Sequence, residues 1–149
     1  MTVIEMDGVN GWHQIYDNDL KPIVEEILAL EDKLLDRRPS SIFKKIDLEG
    51  GGDELVNLLI KLEGYDFYKS YPNVHKDALD GLTEFLFLHT EYTEALIHII
   101  RNLSNKAKGM EYSASAYRVD IKEVDLAREK AGKYHDQMIL KLINMSYKL

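Results

Sequence analysis

An all-α fold, an antiparallel four-helix bundle with a long C-terminal helical hairpin, is predicted by three features of this 149-residue chain. From Met110 to Leu149 there is no proline and one glycine, Gly132. Through that stretch an apolar row recurs at helical spacing: Val124, Ala127, Ala131, Tyr134, Met138, Leu142 and Met145. A second long row, Leu82, Phe85, His89, Tyr92, Leu96, Ile100 and Leu103, precedes it and stops at Lys106, Lys108 and Gly109, a sound C-terminal signal. Two long amphipathic helices joined this tightly fold back on one another.

Helices are predicted over 19–37, 53–70, 74–108 and 111–147, within a single domain spanning 1–149. In the first, Asn18 or Asp19 serves as cap and Pro22 occupies the first turn, where its missing N–H costs little. Leu20, Ile23, Ile27, Leu30 and Leu34 form its apolar face, and Arg37-Arg38-Pro39 closes it. Gly11–Tyr16 adds a short turn ahead of it, and Ser41–Ile46 a brief amphipathic one after it. Gly50-Gly51-Gly52 reads as a flexible break, with Asp53 capping the second helix and Leu55, Leu58, Leu59 and Leu62 on its inner face. That helix passes Gly64 into Tyr65, Phe67, Tyr68 and Tyr71, and Pro72 stops it.

The hairpin helices, about 50 Å long, outreach the first two, about 27 Å each. Either the shorter helices stack end to end along the hairpin, or a second subunit covers it. Ala127 and Ala131 would permit that close approach, so a homodimer through the long C-terminal helix is one expectation.

With 45% hydrophobic residues the chain can bury one substantial core. Its net charge of -7 opposes general attraction to phosphate backbones. Met1–Met110 carries 12 basic and 20 acidic residues; Glu111–Leu149 carries 7 and 6. The basic spots, Arg37-Arg38, Lys44-Lys45, Lys106 and Lys108, fit helix ends and turns better than a phosphate track, so no direct nucleic-acid binding is expected. With no cysteine, disulfides and thiolate metal sites are excluded. No signal peptide and no membrane span are expected, and the expected location is cytoplasmic.

His89 falls mid-way along the apolar face of the third helix, and Asp120 on the apolar side of the fourth. They lie at unequal distances from the Gly109 turn, so each needs some other partner. Glu84, Glu91 and His98, with Asn102 beyond, share the opposite face and read as solvated. A bundle di-metal site would use Glu-x-x-His steps, and none occurs.

Glu25-Glu26 and Glu63-x-x-Asp66 superficially resemble the acidic motifs of the all-helical nucleoside triphosphate pyrophosphohydrolases. The resemblance implies a magnesium-dependent hydrolase with Glu25, Glu26, Glu63 and Asp66 as ligands. The chain departs from that pattern at Ala29, in the wide separation of the pairs and in Gly64. Apart from this alternative, no metal or other cofactor is expected.

Glu25, Asp32 and Asp36 stripe the outer face of the first helix. The chain holds nine tyrosines, and positions 65, 67 and 68 cannot all face one core, so some of these rings should be exposed. Tyr112, Tyr117 and Tyr147 are expected to extend the patch. The leading expectation is a protein-binding module: an inhibitor, adaptor or regulatory subunit anchored by Tyr65, Phe67, Tyr68 and Tyr71. Glu25, Asp32 and Asp36 would steer a partner with a basic surface. A purely structural homo-oligomer is the remaining alternative.

Overall fold

The computed structural model describes residues 7–35 and 46–147. Asp36, Arg37-Arg38-Pro39 and most of the Ser41–Ile46 turn lie outside them. No helix among the described residues is long and apolar enough to cross a membrane.

The first helix starts earlier than its proline suggests. Helix α1 spans Gly8–Ile15, capped by Asp7, whose carboxylate accepts from the Asn10 N–H at 2.9 Å. A π turn over Tyr16–Leu20 then leads without interruption into α2, Lys21–Leu34. In that turn the Lys21 N–H donates to the Tyr16 carbonyl, five residues back. Pro22 has no N–H to give to Asn18, and its ring crowds the carbonyl there. Widening the helix just ahead of Pro22 relieves that conflict. Neither Asn18 nor Asp19 caps α2, which begins without a side-chain cap.

The three glycines are not a break. They lie inside α3, Leu48–Glu63, whose cap is Asp47 rather than Asp53; Asp47 Oδ1 accepts from the Gly50 N–H at 2.9 Å. Gly51 is buried, and a Cβ there would strike Leu34, so glycine lets the end of α2 press onto the start of α3. A separate single turn, α4, Phe67–Ser70, is capped by Asp66.

Helix α5, Lys76–Ala107, and helix α6, Ala114–Tyr147, form the hairpin. Gly109 makes the turn at φ 96°, and the Met110 N–H returns to the Asn105 carbonyl. The principal helices alternate in direction. Leu34 meets Gly51, the Tyr65 hydroxyl reaches the Asp19 carbonyl, and Lys108 pairs with Glu49 at 3.3 Å. Thus α2, α3, α5 and α6 form the antiparallel bundle.

The predicted rows of the first and third helices form the core: Leu20, Ile23, Ile27, Leu30 and Leu34 on one side, Leu82, Phe85, Tyr92, Leu96 and Ile100 on the other, all buried. Cover for the long hairpin comes from α1 at the open end and α3 along α5. There Gly81 admits Trp12, whose ring would lie 2.9 Å from any Cβ. Ala131 is buried and Ala127 half-buried, and both pack toward this bundle's interior.

Candidate functional site

The predicted aromatic patch is mostly packing. Phe67 is only 1% exposed and stacks on Tyr65 at 5.5 Å between ring centroids. Tyr65 and Tyr71 are half-buried and tether this connection to the π turn, their hydroxyls donating to Asp19 at the backbone carbonyl (3.0 Å) and at Oδ2 (2.5 Å). The Asp19 carboxylate pushes the Tyr71 phenol up to about 12. Tyr68 alone stands out, 44% exposed, its hydroxyl on Asp80. Phe67→Ala is therefore expected to cost about 3 kcal/mol of stability, and Tyr68→Ala less than about 1 kcal/mol, in chemical denaturation. Equal losses would show that the two rings share one environment.

Tyr112 and Tyr117 lie beside the hairpin turn, at the opposite end of the bundle, and cannot extend the patch. The side chain of Tyr147 lies outside the described residues. Tyr112 instead donates to Asp120 at 2.5 Å. Asn102 also donates to Asp120, at 3.3 Å, and His98 Nε2 lies 3.5 Å from it. The polar face that read as solvated thus supplies the partners Asp120 needs, and clamps the start of α6 to α5.

Glu25, Glu26 and Asp32 are exposed on α2. Glu63 ends α3, and Asp66 is engaged as the α4 cap. The four carboxylates of the pyrophosphohydrolase-like reading are not gathered. Among the described residues no three His, Cys, Asp or Glu side chains are arranged to hold a metal ion.

What the chain does build is a cavity where α2 stands off from α6. It measures about 280 Å³ and is lined by Tyr16, Leu28, Phe85, His89, Tyr92 and His135, among others. Arg128 spans one end. Its Nη1 contacts both oxygens of Glu31, at 2.6 and 2.5 Å, while its Nη2 reaches Asp125 at 3.1 Å. Glu31, 3% exposed, also accepts from the Tyr92 hydroxyl at 3.2 Å. Burial pulls the Arg128 guanidinium down, but the facing carboxylates outweigh it and the net shift is upward. Burial and then Glu31 push the Tyr92 phenol far up.

His89 lies on the cavity wall, 3% exposed, with its ring edge-on to both Phe85 and Tyr92. Its Nδ1 is buried and has no hydrogen-bond partner among the described residues. Burial lowers its pKa to about 4, so it is neutral at pH 7. His135 is held among Trp12, Tyr16 and Phe85 at 4.5–5.7 Å between ring centroids. Its Nδ1 meets Asp136 at 3.3 Å, and its Nε2 is likewise buried without a partner. Orphaned polar atoms of this kind are rare in folded proteins, and each calls for a reason.

Gly132 lies at the cavity rim, in the interior of α6 and exposed to solvent. A Cβ there would meet nothing within 4 Å. Glycine in mid-helix costs about 1 kcal/mol relative to alanine, and no packing here requires it. Its effect is to leave the mouth open. Of these residues the sequence marked His89 alone as a polar group needing a partner; Phe85, Tyr92 and Ala131 stood in its apolar rows and Gly132 as the one glycine of the last helix. The chain matches no family model, no curated protein and no solved structure.

Proposed function

We propose that this protein is a ligand-binding helical bundle that takes a small molecule into the cavity between α2, α5 and α6. The observation that carries the reading is the make-up of that space, about 280 Å³ walled by Tyr16, Phe85 and Tyr92 with His89, His135 and Asp136 also in its lining. Aromatic walls supply contact area, and Asp136 at the rim supplies direction. Among the described residues neither a nucleophile with an activating base nor a gathered set of carboxylates accompanies them, and we favour binding over turnover.

Gly132→Leu tests it. The side chain enters open space at the rim, and leucine favours the helix, so the variant should melt at or above the wild-type temperature. Fragments that raise the wild-type melting temperature from a neutral and charged small-molecule set should lose their effect in Gly132→Leu. Hits that survive the plug, or an absence of hits, would sink the reading.

A second reading retains a protein-binding module steered by carboxylates, an inhibitor, adaptor or regulatory subunit. Its support is Phe87, 56% exposed on the outer face of α5 among the exposed Asp80, Glu84, Glu91 and Glu94, with Tyr68 against Asp80 at one end. A partner with a basic surface would suit that face.

A further inference from the structure

We infer that the ligand is a small organic cation, an amine carried on an aromatic or apolar body. This rests on the cavity being a binding site, and adds the ligand's chemistry.

His89 Nδ1 and His135 Nε2 are themselves sealed even from water, so the ligand's charge is decided by the walls and the rim.

The walls suit positive charge. Tyr16, Phe85 and Tyr92 line the space, and aromatic faces attract organic cations by about 0.5–2 kcal/mol per favourable contact. The rim is acidic. Asp136 lines it, and Glu25, Asp17 and Asp136 all act on the Tyr16 hydroxyl, which burial and these charges hold above its ordinary pKa. Arg128 is the one cation among the described lining residues, and it is spent on two carboxylates, Glu31 and Asp125. An anionic ligand would therefore face unopposed negative charge at the mouth, and a neutral one would forgo the attraction. The space is too small for a macromolecular segment but fits a single ring with a short arm.

Phenethylamine, 2-phenylethanol and 3-phenylpropanoate form a probe series of similar shape and differing charge. Trp12, the only tryptophan, lies 5.7 Å from His135 between ring centroids, so its emission reports occupancy, with calorimetry as the second readout. Phenethylamine is expected to bind about tenfold or more tighter than the alcohol, with the carboxylate weakest. Asp136→Asn, a change on an exposed side chain, should narrow the gap between amine and alcohol severalfold without altering the melting temperature. Equal or tighter binding of the alcohol or the carboxylate would overturn the cation assignment and leave the cavity reading standing. If none of the three binds, and no hit in the wider fragment set is lost in Gly132→Leu, both fall.

Discussion

Replacing Arg128 with methionine is expected to destabilise the protein by about 3 kcal/mol, among the largest effects of any single change outside the apolar core. The reason lies in the partner left behind. Glu31 is 3% exposed and holds two partners, Arg128 and Tyr92. Without the guanidinium its charge stays buried with one phenolic hydrogen bond, and water reaches it poorly. Arg128 keeps 34% of its own side chain in solvent, which holds the figure to the lower end of what breaking a buried pair costs. The double variant Glu31→Met/Arg128→Met separates this account from simple loss of packing. Removing both charges returns most of the stability, because desolvation of the pair offsets much of its attraction. A shortfall of about 1 kcal/mol is expected to remain, from the Tyr92 hydroxyl left without its acceptor. Urea denaturation of wild type, both single variants and the double completes the cycle. Additive losses, with the double variant worse than either single, would show that the pair does not act as a unit.

The architecture was legible because periodicity is a property of the sequence alone. Leu20 to Leu34 and Leu82 to Ile100 could face inward on only one side of a helix, and they do. The errors fell where tertiary contact outweighed local preference. Gly50, Gly51 and Gly52 each oppose helix by about 1 kcal/mol, yet the Asp47 cap and the seat Gly51 gives Leu34 hold them in α3. Pro22 read as the first turn of a helix. The continuation of α1 through a π turn needs the packing of Trp12 and Ile15 to make it worthwhile, and that packing involves Gly81, about seventy residues away in the chain.

The site was less legible, since it depends on which faces meet. His89 announced itself as a polar residue in an apolar row. Glu31 and Arg128 carried the same signal, one turn from Ile27 and from Val124, and opposite charges in two inward faces imply a pair. The aromatic run misled because Phe67, Tyr65 and Tyr71 share a short connection whose burial is set by Asp19 on another element. Composition gave their abundance, not their direction.

Acid should expose His89. In the unfolded chain its imidazole titrates near 6.5; in the folded protein burial holds it at about 4. Between those values the unfolded state binds a proton that the folded state refuses. Stability from this group is therefore complete above about pH 6.5, is lost as pH falls, and levels off below about 4. The full loss is about 3 kcal/mol. Carboxylates titrate in part of the same window, and Tyr16, Arg128, His135 and Asp136 share the cavity, so the informative quantity is a difference between proteins. His89→Met keeps bulk, removes the titration and deletes the orphaned nitrogen. At pH 7 it should equal or exceed wild type by about 1 kcal/mol, and its advantage should grow by about 3 kcal/mol on going to pH 4. Denaturation curves at half-unit steps through that range measure it. Curves that run parallel would mean His89 takes up its proton in the folded state as readily as in the unfolded one. The reading of His89 as a sealed, neutral imidazole in the cavity wall would then be lost with the pH dependence.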